Sequence, residues 1–132
     1  MTRSLNELAD LLTSGAVEPV VVEGQPILCV SVYETPRSQA EMYLLKAGQR
    51  IPAHMHSAID DVFVGVRGRG RIRTWDASGK AADSGVEAGS VVVIEPGTPH
   101  EVSCAGEEFC YVLTQSPKEH YDNLSYSAPD QS

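Results

Sequence analysis

Two of the four histidines in this chain, His54 and His56, stand two apart in the stretch GQRIPAHMHSAIDDVFVGVRG, residues 48–68. In extended backbone, residues i and i+2 point to the same face, so the two imidazoles can converge on one point. Asp61 follows at the start of an apolar alternating run, across a turn. His100 comes 44 residues after His56, in VVVIEPGTPHEV, behind Gly97, Thr98 and Pro99. Three imidazoles and one carboxylate, with no thiolate, suit a divalent transition metal that keeps positions open for water or substrate. Asp60 is the rival to Asp61, but alternation sends neighbouring strand residues to opposite faces, so only one of them can reach the metal. The two prolines of EPGTPH restrict the backbone before His100, which leaves less conformational entropy to lose on binding.

The elements that must position these residues are short strands. Leu5, Leu8, Leu11 and Leu12 recur at helical spacing behind a Ser4 cap with Glu7 three residues on, and Gly15 supplies a stop, so one short N-terminal helix is expected. Thereafter the pattern has period two or short apolar runs: 19–22, 27–33, 41–45, 62–66, 71–75, 91–94 and 109–113. Gly24, Pro36, Gly48, Pro52, Gly68, Gly70, Gly79, Gly85, Gly89, Pro96 and Gly97 are read as the turns between them. Many short strands without alternating long helices predict an all-β antiparallel sandwich or barrel. The expected layout is a helix and lead-in over 1–18, a barrel over 19–120 and a tail over 121–132, frayed from Ser125 to Ser132.

Composition bounds the partners. A chain of 132 residues is expected to be one domain with its own core. Its formal net charge of -8 argues against a nucleic-acid backbone as partner and in favour of a small molecule. No apolar run is long enough for a membrane span, and the N-terminus lacks the apolar stretch of a secretory signal, so a cytoplasmic protein is expected. Cys29, Cys104 and Cys110 form no C-x-x-C pair and are read as reduced, buried thiols; Cys104, four residues after His100, has the strand phase to line a pocket. Arg67, Arg69, Arg71 and Arg73 alternate with inward residues such as Ile72 and read as the outer face of a hairpin, with an anion row or a second subunit's acidic surface as the other readings. Phe63 and Trp75 are assigned to the core. Tyr43, Glu41 and Glu101 are candidate pocket acids or bases, with Tyr43 and Glu101 taken as catalytic candidates.

The paired motifs resemble those of the cupin superfamily. The first cupin motif, G-x5-H-x-H-x3or4-E-x6-G, falls in register on Gly48, His54, His56 and Gly68, with Asp61 at the glutamate position. The second, G-x5-P-x-G-x2-H-x3-N, matches at Gly89, Gly97 and His100, with Glu95 at the first proline and Cys104 at the asparagine. The resemblance runs from about residue 41 to 113 and implies a double-stranded β-helix, or jelly-roll, barrel. It implies that His54, His56, Asp61 and His100 bind one divalent transition metal per subunit, with Fe(II) favoured and Zn, Mn, Ni or Cu as alternatives. Aspartate is about 1.5 Å shorter in reach than glutamate. That leaves three readings for Asp61: direct ligation, ligation through water, or orientation of a ligand histidine.

The function expected is a metal-dependent enzyme acting on a small oxygenated molecule chelated at the metal, with dioxygenase chemistry ahead. The alternatives are a non-redox isomerase, lyase or natural-product cyclase, and a binding or sensing protein without turnover. A homodimer is implied by the resemblance, and the open edges of a jelly roll give a physical motive for it.

Overall fold

A computed structural model describes residues 1–129. It opens with helix α1 (Leu5–Thr13), capped by the Ser4 side chain, which accepts from the Glu7 backbone N–H at 3.2 Å, and ended by Ser14 and by Gly15 at φ 83°. Nine strands follow among the described residues: β1 (Val20–Val22), β2 (Gln25–Glu34), β3 (Gln39–Lys46), β4 (Arg50–Met55), β5 (Asp60–Trp75), β6 (Ala81–Glu87), β7 (Val91–Ile94), β8 (His100–Ser116) and β9 (Leu124–Ser125). They form one curled, antiparallel sheet, as the jelly-roll expectation requires. None of the described helices is long and apolar enough to cross a membrane.

The two long strands hold the barrel together. β8 pairs with β3, β4 and β5, while β5 pairs with β6, β7 and β8. This is where the sequence reading needs correction. Residues 62–66 and 71–75, read as separate strands, belong to the 16-residue β5, and residues 109–113 are only the later part of the 17-residue β8. Gly68 and Gly70 were read as a turn, but close packing explains them. A Cβ on Gly68, at φ 72°, would lie 2.0 Å from the Glu108 carbonyl oxygen, and one on Gly70 would lie 2.1 Å from the Phe109 ring. Glycine here lets β8 cross against β5, at bulges between Gly65 and Arg67 and between Gly68 and Gly70. Pro52 and Gly85, also read as breaks, lie inside β4 and β6. The small and polar AADSGVE of β6 carries no apolar alternation, which is why it left no strand signal.

Alternation along β3 divides two cores. Ala40, Met42 and Leu44 pack outward with Leu8, Ala9 and Leu12 of α1, Val32 of β2 and Cys110 and Val112 of β8. Leu45 joins Phe63, Ile72, Val86, Ile94, Val102, Phe109 and Tyr111 inside the barrel, with Tyr43 packed against them. Ile72, Phe63 and Trp75 are buried, as expected. The arginine row lies outside the barrel, and two of its four charges are met within the chain: Arg67 reaches Asp10 of α1 at 3.0 Å, and Arg73 makes a paired contact with Asp83 of β6 at 2.7 and 3.1 Å.

The segment from Ser125, expected to be frayed, is packed as far as it is described. Leu124 and Ser125 pair with Met55 and His54, Tyr126 lies against Trp75 with ring centroids 5.3 Å apart, and Ala128 is buried. Residues 130–132 of that expected tail lie outside the described residues.

Candidate metal centre

His54 comes from β4, His56 from the turn just after it, Asp61 from the start of β5 and His100 from the first residue of β8. Each offers one ligand atom, and the four atoms lie within 4.8 Å of one another, so the group could hold a metal ion. Strand pairing brings them together: His54 is opposite His100 in the β4–β8 register, and Asp61 enters where β5 runs beside the end of β8. Asp61 is 1% exposed, whereas its neighbour Asp60 faces solvent, so alternation places Asp61 among the histidines.

Each imidazole is oriented by a backbone carbonyl on its Nδ1 side. The partners are Pro52 O at 2.7 Å for His54, Asp122 O at 2.5 Å for His56 and Thr98 O at 2.9 Å for His100. A carbonyl can only accept, so Nδ1 carries the proton, and in the neutral ring Nε2 presents a lone pair. Nε2 of His100 lies 3.1 Å and Nε2 of His56 3.2 Å from the same Asp61 oxygen, Oδ2. Lone pairs facing a carboxylate in a buried space call for a cation or a shared proton between them. The His56 contact is too poorly aligned to be a hydrogen bond, and its Nε2 is buried without a partner. The other Asp61 oxygen, Oδ1, accepts from Gln115 Nε2 at 3.0 Å, and Gln115 Oε1 in turn accepts from Gln39 at 2.9 Å. An orphaned imidazole nitrogen, two more aimed alike and a carboxylate held by an amide fit a divalent cation.

The electrostatics set His54 and His56 apart. Burial, reinforced by the neighbouring His100, pulls His54 down to about 4, which keeps it unprotonated. Burial would also lower His56, but the Asp61 carboxylate and the Asp122 carbonyl outweigh it and raise it. Burial would raise Asp61, yet contacts with His100 and His56 hold it well below the ordinary carboxylate range.

Of these residues, His54 and His56 line a cavity of about 630 Å³, the size of a small-molecule site. Glu41, Tyr43, Glu101, Tyr111, Gln115 and Tyr121 are part of its lining. Glu101 is engaged by Arg50 at 3.4 Å. Tyr43 stacks on Tyr111 at 5.3 Å and donates to Glu41 at 3.5 Å; Glu41 also accepts from the Cys29 thiol at 3.3 Å. Burial, then the charge of Glu41, pushes the Cys29 thiol up to about 12, and burial raises Tyr43 as well, so both remain proton donors. Cys104 is not part of the cavity lining: four residues along a strand is about 13 Å, and its Sγ contacts the Gly106 carbonyl oxygen instead. Gln115 and Asp122 were not anticipated from the sequence. Gln115 shares strand phase with Leu113 and Tyr111 and was open to discovery by that alternation; Asp122, beyond the expected barrel, gave no signal.

The cupin-domain family matches the chain over residues 41–115, more than half its length. The protein is a cupin. Among solved structures, a conserved protein with a double-stranded β-helix domain from Klebsiella pneumoniae subsp. pneumoniae MGH 78578 is similar at TM-score 0.69 and 19% identity, covering 95% of this cupin and 97% of that chain. KdgF from Halomonas sp. follows at TM-score 0.62 and 19% identity, covering 69% and 78%. Oxalate decarboxylase from Bacillus subtilis is similar at TM-score 0.67 and 19% identity, over 82% of this chain but 29% of that one. A search of curated proteins finds no match to this sequence. Identity at this level shows a shared fold.

Proposed function

We propose that this cupin is a metal-dependent enzyme that acts on a small oxygenated organic molecule, with one divalent metal per subunit held by His54, His56, His100 and Asp61. The observation that carries the proposal is the convergence of four ligand atoms within 4.8 Å at the border of a cavity of about 630 Å³. The metal, when bound, would supply Lewis acidity toward a hydroxyl, enol or carboxylate, or redox chemistry if it is iron. The chain's part is to aim three Nε2 lone pairs, hold Asp61 through Gln115 and wall off the substrate with Tyr43, Tyr111 and Phe63. The leading assignment is an Fe(II) dioxygenase of the cytoplasm, working as a homodimer.

A second reading, a non-redox isomerase, lyase or cyclase, is favoured by one observation. Glu41 and Tyr43 put a carboxylate and a protonated phenol on the cavity wall, with the Cys29 thiol behind them, a set that can take and return a proton. Oxygen uptake separates the two, since non-redox turnover continues anaerobically. Either way, His54→Ala with His56→Ala should abolish metal content by elemental analysis and turnover with it. A double variant that is metal-free and still active overturns the proposal.

A further inference from the structure

The three histidines are not oriented in the same way. His54 and His100 each contact the carbonyl two residues back, Pro52 O and Thr98 O, within proline-containing segments of their own. His56 is different: its Nδ1 partner is the Asp122 carbonyl, 66 residues away in the segment that follows the barrel. That segment is seated by several independent contacts. The Asp122 carboxylate accepts from the Ser57 backbone N–H at 2.8 Å through Oδ1 and from the Ser57 hydroxyl through Oδ2, so it grips the residue next to His56. The Tyr121 ring lies 5.2 Å from the His56 ring. Farther on, Leu124 and Ser125 extend the sheet beside β4, the Tyr126 backbone N–H donates to the Ala53 carbonyl at 3.2 Å, and the Tyr126 ring rests on Trp75. Tyr121, Asn123, Ser125 and Tyr126 also line the cavity.

We infer that this C-terminal strap is a working part of the metal centre and that Asp122 is the positioning residue for His56. The inference rests on the metal-binding reading above and deepens it. Its logic is a chain of two contacts. The Asp122 side chain clamps Ser57, which fixes where the Asp122 carbonyl sits; the carbonyl then keeps the proton on His56 Nδ1 and turns the Nε2 lone pair toward Asp61. Without the clamp, the ring loses the acceptor that selects its tautomer, while His54 and His100 keep theirs. Because the same strap lines the cavity, seating it orients His56 and walls the pocket together.

The test uses full-length protein and metal alone as the probe. Zn(II) affinity is measured by competition titration for wild type, Asp122→Ala and Asp122→Asn, with the Co(II) visible spectrum as a second readout. Asp122→Ala should bind about 10–100-fold more weakly, the usual effect of losing a group that orders a ligand, and its Co(II) spectrum should change. Asp122→Asn, whose amide can still accept from the Ser57 N–H and pair with its hydroxyl, should restore both. A purely structural role for the strap would lower the melting temperature of the metal-free protein and leave the Zn(II) affinity of the folded fraction unchanged; that result overturns the inference, as does an Asn variant no better than Ala. Should Asp122→Ala fail to fold, imidazole nitrogen shifts of wild-type metal-free protein decide, and a His56 ring without a proton on Nδ1 overturns it. A wild-type chain that takes up no Zn(II) or Co(II) overturns the metal-binding reading itself, and the inference with it.

Discussion

Two groups of residues around the cavity solve opposite problems. In one, His54, His56, His100 and Asp61 come from strand ends and turns, every ring is oriented by a carbonyl, and the free lone pairs and the carboxylate oxygen point at one another. In the other, Glu41 and Tyr43 project from mid-strand β3, with Cys29 of β2 paired opposite Tyr43, and each polar atom has a neutral donor or an acceptor to meet it. The first is an arrangement of acceptors short of a positive charge. The second is a hydrogen-bonded set that is already satisfied. Under the proposed function, the first group would bind the cation and the second would handle substrate protons.

Glu41→Gln tests that division hardest. It keeps the shape of the wall and removes the carboxylate, so Zn(II) affinity should equal that of wild type, while turnover under the non-redox reading falls by about 100-fold or more. Weaker metal binding would show that the two groups are not separate. Asp61→Asn probes the histidine group. Its amide cannot supply the negative charge that His56 and His100 face, and it turns a donor toward them or toward Gln115, so Zn(II) affinity should fall by about 10–100-fold by titration. An unchanged affinity would remove Asp61 from the cation site and leave it as a partner of the histidines alone.

The histidine group was the legible one. His54, His56 and His100 announce themselves by residue type and spacing; period-two alternation allowed only one of Asp60 and Asp61, and the cupin-motif register pointed to Asp61. The all-β class and the N-terminal helix were equally open, because the Leu5, Leu8, Leu12 stripe and the apolar alternation are local signals. What stayed hidden depends on contacts between distant segments. Gly68 and Gly70 look like a turn until Glu108 and Phe109 are seen occupying the space where their Cβ atoms would be. Gln115 and Asp122 act through residues 54 and 66 positions away, beyond the reach of any local pattern. The Glu41–Tyr43 pair was visible as candidates, but the thiol behind it was not, since only the β2–β3 register brings Cys29 there.

The smallest expected effect concerns that thiol and checks whether the satisfied group is held by neutral donors. Burial and Glu41 raise Cys29 from 9.0 to about 12. A group raised in the folded state contributes stability that is fully present below its unfolded value and is lost as pH rises through the folded one. For Cys29 the loss therefore runs from about pH 9 to about pH 12, because the unfolded chain gives up the thiol proton first. Cys110, pushed up to about 11 by burial, adds to the same alkaline decline on the α1 side of the sheet. Cys29→Ala removes only the first contribution, so urea unfolding across this window should show a shallower fall than in wild type, with Cys110 supplying part of the remainder. Parallel curves would mean that the Cys29 thiol ionises as easily folded as unfolded, and the group around Glu41 would then lack the fixed proton donor on which the comparison depends.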